Sequence, residues 1–214
     1  MSVALNGTSL SKIKANSLNL AGTFGFSGTV TGLADETPLV LISTFTSDGS
    51  DATASFTSGI DSTYKEYLFV FNNIHPETNS QNLIMKARDG STNYDATITT
   101  TMFSAFHRED DGETGLGYEG GQDEAQTTSG IKLSVGLGTV ADECTSGILR
   151  LYNPSSTTFV KHFVSTFSVN HAADYAYTWY KAGYCNVTAA IDGVQFSMSS
   201  GEIQGGTIDL FGVV

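Results

Sequence analysis

The feature that most constrains the fold of this chain is a series of short apolar segments separated by turn residues. About eleven such segments follow residue 38, and several alternate between apolar and polar positions, as half-buried strands do. They are Leu39–Thr46, Ala52–Thr57, Glu66–Ile74, Leu83–Arg88, Thr97–His107, Ile131–Val135, Ile148–Asn153, Thr158–Val169, Ala176–Val187, Val194–Met198 and Thr207–Phe211. No stretch of twelve residues shows the 3.6-residue period of an amphipathic helix. The sequence therefore predicts an all-β fold, an antiparallel β-sandwich of the jelly-roll type.

The alternation also predicts which residues share a buried side. Phe159, Phe163 and Phe167 are expected on one side of Thr158–Val169. Glu66–Ile74 has apolar residues on both sides, which is typical of a central strand that is covered on both faces.

A longer alternating segment, residues 18–32, precedes these strands. Apolar residues and glycines occupy one of its sides, and small polar residues occupy the other. Such a segment cannot bury its apolar side alone, so it must pair with the main domain as an edge strand or with other chains. An acidic pair and a proline, Ala34-Asp-Glu-Thr-Pro38, then interrupt the pattern.

We therefore predict two parts, an extended N-terminal β arm at residues 1–34 and a sandwich body at residues 35–214. The arm is expected to serve attachment or oligomerisation. Its predicted docking residues are Leu18, Leu20, Phe24, Phe26 and Val30.

Charge divides the chain at the same place. Ten Lys and Arg against 22 Asp and Glu give a net charge of −12, which excludes general affinity for nucleic acid or anionic lipid. Residues 1–34 hold Lys12 and Lys14 and no acid, so residues 35–214 carry −14. This split indicates that the arm docks and that the acidic body faces solvent.

The chain also lacks the patterns of membrane proteins and of secreted, disulfide-linked proteins. The longest wholly apolar run, Tyr67–Phe71, is far shorter than the roughly 20 residues that span a bilayer. The N-terminus lacks the basic start and apolar stretch of a secretory signal, so we expect no export by that route. Cys144 and Cys185 are expected to be unpaired, mostly buried thiols.

No local pattern points to a catalytic, cofactor or metal site. Gly115–Gly120 and Gly136–Ala141 match the dinucleotide-binding spacing, but no helix follows to bind a phosphate. The acidic stretch Glu109–Glu124 is interpreted as a solvated loop, and Asp89–Asp95, although spaced like a calcium loop, as a hairpin turn. We therefore predict no enzyme activity, no cofactor and no metal. A pair of glycosidase carboxylates, which is assembled only in space, stays open as an alternative.

A row of aromatic residues, Tyr175, Tyr177 and Trp179, lies on one side of a predicted strand. Such rings can stack on sugar faces, or they can pack in a core or between subunits. Packing is the favoured interpretation. The sugar-binding alternative requires that all three rings be exposed.

Three segments resemble a group of virion proteins of tailed bacteriophages, especially marine and cyanobacterial ones. They read FTSGIDSTYKEYLFVFNNIHP at 56–76, YNPSSTTFVKH at 152–162 and FSMSSGEIQGGTIDLFG at 196–212. The resemblance covers most of residues 39–214. It implies a β-sandwich module on the virion exterior, usually homotrimeric, in a tail fibre, a tail tip or a capsid-surface protein. No catalytic residues come with the group.

The hypothesis that follows is a homotrimeric virion protein, a receptor-binding tail fibre or a capsid decoration, docked through residues 1–34. Its partners would be further copies of itself, capsid or tail proteins and a glycan of the host surface. It would be assembled in the host cytoplasm and released by lysis. The alternatives are a carbohydrate-binding sandwich outside a virion and, less favoured, a glycan hydrolase.

Overall fold

The computed structural model describes residues 38–214. The predicted arm lies outside the described residues, so its docking residues Leu18, Leu20, Phe24, Phe26 and Val30 stay predictions.

All regular structure in residues 38–214 is β, and every strand pairing is antiparallel. The twelve strands are β1 (Leu39–Thr46), β2 (Ala54–Phe56), β3 (Glu66–Pro76), β4 (Gln81–Arg88), β5 (Ile98–Arg108), β6 (Thr114–Tyr118), β7 (Ile131–Leu137), β8 (Thr145–Tyr152), β9 (Lys161–His171), β10 (Tyr175–Cys185), β11 (Gly193–Met198) and β12 (Ile203–Val213).

The strands form a broad sheet and a smaller one. Eight strands lie side by side in the order β1-β12-β3-β8-β9-β10-β5-β6, and the other four follow the order β7-β4-β11-β2. A single bridge between Leu137 and His171 joins β7 to β9, which nearly closes the two sheets into a barrel-like shape.

The strand order is that of a jelly roll with two added hairpins. Strands β1-β12-β3-β8 and β2-β11-β4-β7 form the two four-stranded sheets, and the chain passes between them in jelly-roll sequence. The hairpins β5–β6 and β9–β10 are inserted between strands of this plan, and together they widen the first sheet beyond β8. The predicted all-β, jelly-roll-like sandwich is confirmed for the body.

The core lies between the two sheets and is rich in phenylalanine. Phe69 and Phe71 of β3 meet Phe196 of β11 edge to face, with ring centroids 5.2 and 4.9 Å apart. Phe56 of β2 and Phe167 of β9 pack against the same rings. Because these rings come from both sheets, their burial holds the two sheets together.

The eleven predicted segments each overlap a strand, but three details of the sequence interpretation are wrong. Phe159 does not share the buried side of Phe163 and Phe167, because it lies in the loop before β9 and is 71% exposed. The acidic stretch Glu109–Glu124 is not simply a loop, because it contains the short strand β6. The strand β3 is central in its sheet, but only Leu68 of its outer side is buried, while Val70 is half-buried.

The cysteines are unpaired, as expected, although only Cys185 is fully buried and Cys144 is half-buried. Within residues 38–214, no helix is long and apolar enough to cross a membrane.

Candidate interaction surface

The predicted aromatic row lies on the inner side of β10. Trp179 is 4% exposed and belongs to the hydrophobic core, where its ring stacks on that of Tyr177 at a centroid distance of 4.9 Å. Tyr175 is half-buried, and its hydroxyl donates to the Glu113 carboxylate at 2.9 Å, which raises the pKa of Tyr175. The structure therefore places the three residues side by side but buries Trp179. Sugar binding at this row requires three exposed rings, and that requirement is not met.

The same inner side carries a buried lysine. Lys181 lies two residues after Trp179, and its Nζ donates to Glu124 Oε2 at 2.6 Å, to the Gln122 carbonyl at 2.8 Å and to Thr100 Oγ1 at 3.3 Å. Burial lowers the pKa of Lys181, and the Glu124 carboxylate opposes that shift. All three ammonium donors have an acceptor, so the cation is locally satisfied.

Glu124 reaches this lysine because the chain continues along the edge of β5 after β6. The Thr100 amide donates to the Glu124 carbonyl at 2.8 Å, and Ser104 Oγ donates to Glu119 Oε1 at 2.5 Å. Two carboxylates of the acidic stretch thus turn inward, where the sequence interpretation placed solvated side chains.

A second lysine, Lys161, is fully buried at the start of β9. Its Nζ donates to the carbonyls of Val187 at 2.8 Å and of Phe159 at 3.3 Å. Burial lowers the pKa of Lys161. Cys185 lies opposite Lys161 in the pairing of β9 with β10, and burial raises the pKa of that thiol to about 12.

The outer side of the four added strands carries no Asp, Glu, Lys or Arg; we call it the neutral face. Its residues, read from the strand registers, are Thr99, Thr101, Phe103, Ala105 and His107 of β5, Thr114, Leu116 and Tyr118 of β6, His162, Val164, Thr166, Ser168 and Asn170 of β9, and Ala176, Thr178, Tyr180, Ala182 and Tyr184 of β10. Charge of one sign dominates the rest of the body, so a broad face free of charge is a distinct surface.

Large apolar side chains are exposed on and beside the neutral face. In residues 38–214, six of the eleven exposed large apolar side chains lie there, five on the face and Ile148 on the adjacent β8. Phe103 and Tyr180 stack face to face with centroids 4.8 Å apart and are 45% and 38% exposed. Contiguous exposed apolar surface of this kind marks interaction sites, whereas single exposed apolar residues do not.

A shallow depression, which we call the trough, crosses the neutral face. It consists of two adjoining cavities of about 370 and 200 Å³ that share Thr101, Val164 and Ala182. Its ends are formed by Tyr180 and Tyr184, which are four residues apart on β10, about 13 Å in an extended strand. Small side chains between larger rings therefore create a hollow that is largely apolar.

The described residues contain no group of three or more His, Cys, Asp and Glu side chains that could hold a metal ion. In the turn that begins at Asp89, the Gly90 amide donates to Asp192, whose carboxylate also accepts from Arg88 Nε at 2.9 Å. This stretch therefore forms a turn braced by an ion pair.

No family model, curated protein or solved structure matches this chain. Its fold and surfaces therefore carry the functional argument.

The sequence reasoning missed the neutral face, although a signal for it was present. In three of the predicted strands the positions that alternate with the core side are Thr, Ser, Ala, Asn, aromatic or Val residues without a single charge. In a chain with a net charge of −12, such a run of uncharged outward positions is a usable indicator of a contact surface.

Proposed function

We propose that this protein is a non-enzymatic structural subunit on the exterior of a bacteriophage virion, a tail fibre or a capsid-surface protein. In this proposal the body forms a homotrimer, and residues 1–34 attach it to a capsid or tail protein. The protein acts there by adhesion or by mechanical support.

The observation that carries the proposal is a jelly-roll body whose widened sheet displays the neutral face. Jelly rolls are a recurrent fold of viral capsid and lectin domains. A broad, uncharged face with exposed aromatic rings has the composition of the centre of a protein interface. The resemblance of residues 56–76, 152–162 and 196–212 to phage virion proteins supports the same role.

The test is incorporation into particles. The full chain and its variants are supplied during assembly in a host that carries the phage without its own copy of the gene, and purified particles are examined by mass spectrometry. We expect the chain in the particles, and we expect Phe24→Asp with Phe26→Asp to abolish incorporation while the protein stays folded. The matched control is Thr23→Asp with Thr29→Asp on the other side of the alternating segment. Particles that lack the wild-type chain would defeat the proposed function.

A neutral saccharide of the host surface is the second candidate ligand. The observation that favours it is the exposed Phe103–Tyr180 stack beside the trough, on the side of β10 opposite to Trp179. Aromatic rings of this kind bind the apolar faces of sugars. Screening the purified protein on immobilised neutral oligosaccharides, with Tyr180→Ala and the buried-side variant Tyr177→Phe, tests this candidate.

A further inference from the structure

We propose that the neutral face is the contact surface between copies of this chain, with Leu116 and Tyr118 of one copy packed into the trough of the next. This inference rests on the proposed homo-oligomeric function and names the surface that the oligomer uses.

Electrostatics favours the neutral face as the contact between copies. The body carries a net charge of −14, so two copies repel each other wherever their carboxylate-bearing surfaces meet. The outward positions of β5, β6, β9 and β10 carry no acidic or basic side chain. A like-charged copy therefore meets fewer carboxylates at this face than on the rest of the body; those of Asp111 and Asp123, which hydrogen-bond to His107 and Tyr118, lie at the β6 edge of the face. A basic partner, in contrast, would gain more at the acidic surfaces elsewhere.

The neutral face carries both a hollow, the trough, and exposed side chains that can fill one. Leu116 and Tyr118 are 76% and 63% exposed on the edge strand β6. Beside Leu116, the inner side of β6 is occupied at Gly115, where a Cβ would lie 2.5 Å from the Phe106 ring, and Leu116 pairs with Ala105 of the neutral face. Leu116 therefore has to point outward.

The position of Leu116 and Tyr118 on the edge strand β6 determines the geometry of the contact. The Tyr118 hydroxyl donates to Asp123 Oδ2 at 2.5 Å, which holds that ring in place at the β6 edge of the neutral face. Leu116 and Tyr118 lie on β6, whereas the trough is lined by residues of the neighbouring strands β5, β9 and β10. When Leu116 and Tyr118 of each copy enter the trough of the next copy without the reverse contact, the interface is heterologous, and it closes into a ring when copies repeat around an axis. This is the arrangement that a homotrimer needs.

The experiment uses the full chain and a charge exchange. Wild-type protein should have a mass in solution that is a multiple of 22.6 kDa, about three times that value in the proposed trimer. Leu116→Lys and Ala182→Glu, each alone, should weaken self-association by about 30-fold or more, because each places an unpaired charge in a neutral contact. The double variant should recover most of the association, because the new lysine of one copy then faces the new glutamate of the next. Phe159→Glu, at a position that is 71% exposed outside the face, is the matched control and should leave the mass unchanged.

A second measurement reports on the contact even if residues 1–34 also hold copies together. Leu116→Cys with Ala182→Cys, in a Cys144→Ser background, should give covalently linked copies when diamide oxidises the two thiols to a disulfide. Phe159→Cys with Ala182→Cys should not.

Wild-type protein that is monomeric at micromolar concentration overturns the inference. An oligomer whose Leu116→Cys/Ala182→Cys variant forms no link overturns it as well. If the monomer instead binds dextran oligosaccharides and Tyr180→Ala abolishes that binding, the face is a saccharide site. Presence of the chain in particles is a separate readout, so failure of the contact is distinguishable from failure of the proposed function.

Discussion

The two sides of strands β9, β10 and β5 differ in where they place charged and large apolar residues, and the difference is the reverse of the usual one. The inner side holds two buried lysines, Lys161 and Lys181, among core residues such as Trp179. The outer side holds no charged residue and leaves the rings of Phe103 and Tyr180 in solvent. Charged residues are normally exposed and large apolar ones buried. The contrast shows that each lysine is stabilised by local acceptors, whereas the outer rings have no neighbour within the described part of the chain to cover them.

Substitutions of the adjacent residues Trp179 and Tyr180 should show the largest difference in unfolding free energy between the two sides. Trp179→Ala should destabilise the protein by about 3–5 kcal/mol, because it leaves a cavity in the core and removes the stack on Tyr177. Tyr180→Ala should cost less, about 1–2 kcal/mol in the dissociated chain, because its ring is already 38% exposed and mainly loses the stack on Phe103. Urea unfolding at low protein concentration measures both free energies. Equal losses would show that the two sides are equally buried and would remove the contrast.

The buried ion pair of Lys181 and Glu124 should give the next largest loss of unfolding free energy. Glu124→Gln should lower the free energy of unfolding by about 2–3 kcal/mol, because it leaves the Lys181 ammonium buried without its carboxylate. The loss should be smaller than for a fully enclosed pair, because the Glu124 side chain is 14% exposed. Glu109→Gln, an exposed carboxylate in the same acidic stretch, should change the unfolding free energy by less than about 0.5 kcal/mol. Matching losses in the two variants would mean that Glu124 does not stabilise the inner side through Lys181.

The pH dependence of stability reports on the inner side through Cys185. The folded thiol has a pKa raised to about 12, whereas an unburied thiol ionises near 9.0. The unfolded chain therefore releases a proton that the folded chain keeps, so this contribution to stability is complete below pH 9 and is lost as pH rises towards 12.

Wild type should lose about 1.4 kcal/mol relative to Cys185→Ala between pH 8 and pH 10. Burial lowers the pKa of Lys161, which has the opposite effect on stability with rising pH. This effect is present in both proteins, apart from the part that Cys185 contributes, because the charge of its thiolate raises the pKa of Lys161. A difference that does not change with pH would indicate that the thiol is accessible to water when folded.

The smallest expected effect is the coupling energy between two aromatic residues of the outer side. A double-mutant cycle of Phe103→Ala and Tyr180→Ala should give a coupling energy of about 0.5–1.5 kcal/mol in the dissociated chain, the range for a stacked aromatic pair. Urea unfolding of the four proteins below their association range measures it. A coupling of several kcal/mol would mean that the pair belongs to a packed core, and the neutral face would lose its defining feature.

Much of the fold could be predicted because a half-buried strand is visible in the local alternation of apolar and polar residues. The predicted segment Leu39–Thr46 coincides with β1, and the predicted segment Val194–Met198 lies within β11. The strand β6 could not be predicted, because Thr114-Gly-Leu-Gly-Tyr118 lies among acidic residues and has two glycines. It is a strand because its backbone pairs with β5, which is a long-range partner choice rather than a local propensity.

The candidate site could be predicted only in part. Period-two alternation correctly placed Tyr175, Tyr177 and Trp179 on one side of a strand. It did not indicate which side would be covered, so the exposed ring of β10 is on the other side, at Tyr180. The inward turn of Glu124 toward Lys181 joins residues 57 positions apart and leaves no local trace in the sequence.

By itself, the sequence determined the all-β class, the position of nearly every strand, the acidic character of the body and the sets of residues that share a side. These properties follow from local geometry and from composition, because successive side chains of a strand point to opposite faces whatever its neighbours are. Only the tertiary structure decided the order of the strands, the widening of one jelly-roll sheet by two hairpins, the burial of two lysines and the exposure of the neutral face. Those outcomes depend on which distant segments pair and what they cover, and the alternating pattern of one strand contains no information about either.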